Sequence, residues 1–280
     1  RLFFFKDRVN TEIYSLDRHD ALPILLQLTE GFKELGYSAN LQTMDRDPKN
    51  NIETVHSMID RGCDTFIMIG SPFGMEEIEN ILIKRQLNYV SYNSNCHRQV
   101  RVDSSCAIAE IVNHFLALGK KNLFLANRSL DIENPGSRCR AFCDALSNEA
   151  RDRIFLFDKK LFSENDYDRS YFEQGYEVTS RILKEHPDAD AILYLSDIYA
   201  MGGAKYISEN TSLRIGQDIM LTGFNNNPAV RFGPFPITTC HHPVDKIAAA
   251  IVDNAFIGGE FDIVFKAEVI YDNFYNSKQC

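Results

Sequence analysis

The sequence predicts an α/β fold of two similar lobes, each built on a parallel sheet with helices on both faces. Three observations carry that expectation. Short, uniformly apolar runs such as Thr65–Ile69 alternate with segments of helical period almost to the end of the chain. These runs lack the in-and-out alternation of a sheet with one wet face, so they read as strands covered on both sides. The rhythm also restarts near Asn122, and 280 residues suit two lobes better than one.

Residues 2–5 form the first strand, and a polar loop leads to a helix from about Pro23. There Ile24, Leu25, Leu28, Phe32 and Leu35 share a face and Gly36 supplies the stop. Residues 38–42 are a strand. Asp47 and Pro48 then give an N-cap and a first-turn proline to a helix carrying Ile52, Val55 and Ile59, ended by Gly62. Strand 65–69, helix 75–85 and strand 89–92 follow. Asp103, Ser104 and Ser105 open a helix with Ile108, Ile111, Val112 and Phe115 inward and Gly119 as its stop. The second series runs strand 122–126, helix 135–146, strand 154–157, helix 171–185, strand 191–195, helix 199–210 and strand 219–223. A helix over 244–257 and a strand over 263–270 close the chain. They are too short for a third domain and return to complete the two lobes.

In open α/β sheets ligands bind beyond the carboxyl ends of the strands, so two facing sheets predict one cleft. The candidate residues are those that follow each strand: the loop 6–20, Ser71 and Pro72, Asn93, Asp103, the stretch 127–138, Ser196 and Asp197, Asn225 to Asn227, and His241 and His242.

Several chemistries find no support. The chain has no GxxxxGK[ST] loop, no GxGxxG after a strand, no GxSxG and no HExxH. His241 and His242 are adjacent, and on a strand they point to opposite faces, against a shared metal. Cys139 and Cys143 sit four apart on a helix and read as a core face. The acids around Asp166 and Asp168 lack the glycine of a calcium loop and read as a solvated turn. No catalytic residue, cofactor or metal is therefore predicted. Seven cysteines, an odd number with no CxxC pair, read as reduced thiols and favour the cytoplasm. The opening apolar run is too short for a signal peptide or a membrane span. The net charge of −9 argues against a nucleic-acid contact through this region.

Polar groups remain at the strand ends. Asp103, Arg138, Ser196, Asp197, Asn225 and His242 offer the donors and acceptors a polyol needs, and the loop aromatics Tyr14, Phe73, Tyr171 and Phe172 offer apolar cover. Each polar group also has a purely structural use. Asp103 and Asp197 precede helices and could serve as N-caps. Arg138 could pair on a helix surface, and Asn225 to Asn227 could be a turn.

Six runs of sequence in order carry a resemblance. RGCDTFIMIGSP, VRVDSSCAIAEIVNHFLALGKKNLFLA and SRCRAFCDAL are followed by ADAILYLSDIYAMGGAKYI, LRIGQDIMLTGFNN and PFPITTCHHPVDKIAAAIV. In order and spacing they resemble the lactose/galactose-repressor (LacI/GalR) family of bacterial transcription regulators, from about Leu2 to Ile270. The resemblance implies Rossmann-like lobes of the type I periplasmic-binding-protein kind, a homodimer, and no catalysis. It implies that a small effector, a sugar or sugar-like polyol, is held in the interlobe cleft. Operator DNA would be met by a helix-turn-helix before Arg1, which suits a chain that opens at once on a strand. By position, Asp103 matches the family's ligand-binding acid and Arg138 the arginine that forks onto ligand hydroxyls. Ser196 falls where many members have Asn, Asn225 where many have Asp, and His242 where Gln is common. The lobes are expected to comprise 1–118 with 241–259 and 119–240 with 260–280. The rival from another class is an extracytoplasmic sugar-binding protein that feeds a transporter.

Overall fold

The elements in chain order are β1 (Leu2–Asp7), α1 (Arg18–Glu34), β2 (Ala39–Met44), α2 (Pro48–Asp60), β3 (Thr65–Ile69), α3 (Met75–Lys84), β4 (Asn88–Tyr92) and β5 (Arg98–Asp103). They continue with α4 (Ser105–Ala117), β6 (Leu123–Asn127), α5 (Arg138–Ala145), β7 (Ile154–Leu156), α6 (Tyr167–Glu185), β8 (Ala191–Tyr194) and α7 (Asp197–Asn210). The last are β9 (Met220–Thr222), α8 (Pro228–Arg231), β10 (Ile237–His241), α9 (Val244–Asn254), β11 (Phe261–Lys266) and β12 (Glu268–Ile270). This computed structural model describes residues 2–7, 18–44, 47–70, 72–128, 130, 132–133, 137–146, 150–158 and 167–271, without the side chains of 2–7, 18–22 and 167–169.

The chain divides into two units, residues 1–102 with 243–265 and residues 103–242 with 266–280. Each holds one six-stranded sheet, in the order β11-β5-β4-β3-β1-β2 and β12-β10-β9-β8-β6-β7. From β2 to β5 and from β7 to β10 every neighbouring pair is parallel, and β12 runs antiparallel to β10.

In the first unit, alternate residues of the central strand feed two cores. Ile67 and Ile69 pack with Leu28 and Phe32 of α1 and Ile247 and Ile251 of α9. Phe66 and Met68 pack with Val55 and Met58 of α2 and Ile78 and Leu82 of α3. Asp47 caps α2 as its sequence position suggests, accepting the Lys49 N–H at 2.9 Å.

In the second unit, Val178 and Ile182 of α6 and Tyr199, Ala204 and Ile207 of α7 cover Phe124, Ile192, Tyr194 and Leu221. Helices α6 and α7 touch backbone to backbone. A Cβ added to Gly175 would lie 2.0 Å from the Tyr199 carbonyl oxygen, and one added to Gly202 would lie 2.0 Å from that of Phe172. Gly202→Ala is expected to force the helices apart and cost about 2–3 kcal/mol, read as a lower urea midpoint at an unchanged slope.

The structure differs from the sequence expectations in several places. Helix α1 starts at Arg18, ahead of Pro23, while α5 starts at Arg138, where Ser137 accepts the Arg140 N–H at 3.1 Å. Strand β5 was not anticipated: it is rich in charge, yet Arg98 is buried and donates to the carbonyls of Asn254 and Ile257 at the end of α9. The single closing strand is two, β11 beside β5 in one sheet and β12 beside β10 in the other. The chain also leaves the first unit after residue 102 rather than 118, because α4 packs on α5 and β12. The later exchanges fall at 242/243 and 265/266 rather than 240/241 and 259/260.

Candidate functional site

Strands β6, β8, β9 and β10 of the second unit lie side by side and parallel, so the residues that follow them collect along one edge of the sheet. Arg138 opens α5, and its Nη1 donates to the Leu195 carbonyl just past β8 at 2.8 Å. Its guanidinium carbon lies 3.8 Å from the centre of the Phe224 ring just past β9. Phe224 is fully buried and meets the His242 ring edge-on at 6.3 Å. One arginine thus spans two strand ends over a fixed aromatic plate, held by charge, hydrogen bond and cation–π contact.

At the ends of β8, β9 and β10 four enclosed polar atoms meet no hydrogen-bond partner among the described residues: Ser196 Oγ, Asn225 Oδ1, Asn226 Oδ1 and His242 Nε2. Ser196 is only 4% exposed and stands at the N-cap of α7, but its hydroxyl makes no capping bond. Asn225 and Asn226 have left-handed backbones, with φ of 97° and 52°. Asparagine tolerates this region better than most residues. Burial first, then the charge of Arg138 and the neighbouring His241, pushes His242 down to about 3, so its ring is neutral.

Asp197 is 1% exposed and accepts from two sides, Oδ2 from the Asn227 N–H at 2.6 Å and Oδ1 from the Thr239 hydroxyl at 2.7 Å. Burial pushes its carboxyl up to about 7, and the two hydrogen bonds oppose the shift. The two titrations act on stability with opposite sign. A carboxyl raised on folding contributes stability below its ordinary range of about 4 and loses it as pH rises toward 7. A histidine lowered on folding contributes stability above its ordinary 6.5 and loses it as pH falls toward 3. Between about pH 4 and 6.5 the slopes therefore oppose. Asp197→Asn is expected to leave the His242 slope uncovered, so that stability gains about 1.4 kcal/mol per pH unit relative to wild type over that window. Urea unfolding at several pH values checks it.

Among the other predicted residues, Asp103 ends β5, and its Oδ1 accepts the Ser105 N–H at 2.8 Å and the Ser105 hydroxyl at 2.6 Å. It thus bonds the first residue of α4 without being the N-cap its position suggests, since Ser104 holds that place. Tyr171 is fully buried, stacked on Tyr199 at 5.0 Å and covered by the Arg128 guanidinium at 4.8 Å. Phe73 is an exposed residue of the first unit. Tyr14, with most of the loop 6–20, and Ser71 lie outside the described residues. Thr239 lies outside the residues the sequence marks as candidates, whereas Asn226 and Arg128 fall within its stretches 225–227 and 127–138. A Thr beside strand-end polar residues gives no signal by itself, and Arg128 meets the Tyr199 hydroxyl, which accepts its Nε and Nη2 at 3.1 and 3.0 Å. Among the described residues no three His, Cys, Asp or Glu side chains are grouped to hold a metal ion, and no helix is long and apolar enough to cross a membrane.

The family model for a periplasmic binding protein-like domain matches residues 112–256, more than half of the chain. The chain belongs to the periplasmic binding protein-like domain family. Within it, the HTH-type transcriptional regulator MalR of Clostridium butyricum is 25% identical over 232 residues, which cover 80% of this chain and 67% of that protein. The HTH-type transcriptional repressor PurR of Pasteurella multocida is 33% identical over 84 residues, which cover 30% of this chain and 25% of that one. The chain thus spans two thirds of one relative's length and a quarter of the other's. A solved structure of the LacI family regulator CCPA from Weissella paramesenteroides, with bound glucose, has a TM-score of 0.76 at 17% identity, covering 97% of this chain and 96% of that one.

Proposed function

We propose that this chain is the sensing region of a DNA-binding transcriptional regulator, and that its effector is a neutral sugar or sugar-like polyol bound at the strand ends of the second unit. The observation that carries the reading is the set of four enclosed, partnerless polar atoms at the ends of β8, β9 and β10. An unpaired buried polar group costs about 1–3 kcal/mol, and folded proteins leave few of them. Four along one sheet edge fit a surface completed by a ligand. Two are amide oxygens that only accept, while Ser196 and the neutral His242 can serve either way. A molecule bearing several hydroxyls supplies both roles at once, with Arg138 and Asp103 as charged partners on either count. The glucose bound to the Weissella protein supports the same class of ligand.

The reading includes no catalytic step. The chain acts as a cytoplasmic homodimer, and operator DNA is met by a helix-turn-helix elsewhere in the whole protein, consistent with a net charge of −9 here. Control of DNA binding requires an effector with different affinity for two states of the protein. The transporter reading is not favoured, because the relatives are transcriptional regulators.

A thermal-shift screen of neutral sugars, polyols, sugar phosphates and purines tests the proposal. A ligand at about 100 times its Kd adds about 2.7 kcal/mol, a rise of several degrees. A neutral sugar or polyol is expected to give that rise. A rise with purines alone would contradict the reading.

A further inference from the structure

We propose that Asp197 is a positioning residue whose ionised carboxylate sets the loop carrying Asn225 and Asn226 in its ligand-ready form, through the Thr239 hydroxyl and the Asn227 amide. The proposal rests on the reading of these strand ends as the effector site. Three successive amides of the loop are pinned. The Asn225 N–H donates to the Cys240 carbonyl at 2.8 Å, the Asn226 N–H to Thr239 Oγ1 at 3.1 Å, and the Asn227 N–H to Asp197 Oδ2 at 2.6 Å. The Thr239 hydroxyl in turn passes its own proton to Asp197 Oδ1 at 2.7 Å. Two of the three pins therefore end on one carboxylate, and the third is a strand bond of β10. Asp197 is itself fixed by its N–H, which donates to the Phe224 carbonyl at 3.0 Å.

The arrangement needs a group that accepts on both oxygens. A carboxylate does so, whereas a carboxylic acid or an amide has one donor side: turned to Asn227 it meets another donor, and turned to Thr239 it reverses that hydrogen bond, leaving the threonine proton without its acceptor and competing with the Asn226 N–H for Thr239 Oγ1. The loop needs such help, because two consecutive left-handed residues are unfavourable without tertiary support. Burial pushes the Asp197 carboxyl up to about 7, so the order of the loop is expected to change with pH around that value. Two other titratable side chains nearby, Cys240 and His242, stay neutral there. The Cys240 thiol of β10 is pushed up to about 12 by burial, between Arg138 of α5 and Glu110 of α4, and His242 is held down to about 3. The segment Gly223–Phe224 and the three asparagines add no charge.

The test uses the whole chain as wild type, Asp197→Asn, Thr239→Val and Thr239→Ser. Amide hydrogen exchange of residues 226 and 227 is measured without ligand. Affinity is measured by titration with D-glucose, D-galactose, D-ribose and maltose from pH 5.5 to 8.5. Wild-type amides 226 and 227 are expected to exchange about tenfold faster at pH 5.5 than at pH 8.5 after correction for intrinsic rates, the worth of one charge-assisted hydrogen bond. Asp197→Asn should be fast at both pH values, Thr239→Val should match it at residue 226, and Thr239→Ser should restore the wild-type profile. A sugar that binds should follow the same pH profile in wild type and lose it in Asp197→Asn. Protection in Asp197→Asn equal to wild type, with the same pH profile, overturns the proposal. If the exchange profile holds but none of the four sugars binds, the positioning role stands and it is the sugar reading that fails.

Discussion

Gly223→Ala is expected to destabilise the second unit by about 4 kcal/mol and to abolish effector binding at any concentration the folded fraction survives. A Cβ at position 223 would lie 2.1 Å from Asp197 Oδ1 and 2.7 Å from the Asp197 Cα. Neither neighbour can give way cheaply. The Cα belongs to the first turn of α7, and the carboxylate is 1% exposed with hydrogen bonds on both oxygens. Overpacking alone costs about 1–3 kcal/mol. Moving the carboxylate also strips the acceptor from the Asn227 N–H and the Thr239 hydroxyl, at about 1–3 kcal/mol for each buried donor left unpaired. Urea unfolding with a probe in the second unit reads the loss. A variant within 1 kcal/mol of wild type would show that the close approach of β9 to α7 is not needed.

Arg138→Ala is expected to weaken effector binding by about 100-fold, or about 2.7 kcal/mol, with a smaller effect on folding. Arginine presents directed donors in a planar fork, and a ligand with adjacent hydroxyls uses two of them. The substitution also removes the plate-and-cation contact with Phe224 and the hydrogen bond to Leu195. A third consequence separates this role from generic surface pairing. His242 is held down partly by the Arg138 charge, so its titration should move upward in the variant. Histidine ring NMR shifts against pH, together with calorimetric titration of the sugar found by screening, check both. Arg138→Lys should recover part of the charge effect on His242 and little of the affinity.

The sheets and most helices were legible because burial on both faces leaves an unmistakable pattern. Thr65–Ile69 is buried at every position, and its uniform apolarity said so. The stops at Gly36, Gly62 and Gly119 are all left-handed. Strand β5 was not legible, because its inward residue Arg98 is satisfied by carbonyls of α9, some 150 residues further along the chain, and local composition does not encode that partner. The division of residues 263–270 between two sheets escaped for the same reason, since pairing with β5 or β10 is decided by distant strands. At the site, the position of Arg138, Ser196, Asn225 and His242 after predicted strands is enough to mark them as candidates. Position alone leaves Asp197 and Asp103 balanced between capping and binding. Asp103 bonds its own helix start, while Asp197 holds another loop across the sheet edge. The difference lies in which neighbours the fold brings near, which no spacing rule supplies.

The central claim is that the enclosed polar atoms at the strand ends of the second unit are where the effector binds. Amide and side-chain NMR mapping of the labelled chain during titration with the sugar that stabilises it tests this most directly. The account predicts the largest saturable shifts at Ser196, Asn225, Asn226 and His242, with the Arg138 side-chain Nε–H moving on the same isotherm. Saturable binding that leaves all five unmoved and shifts residues elsewhere in the chain would contradict it.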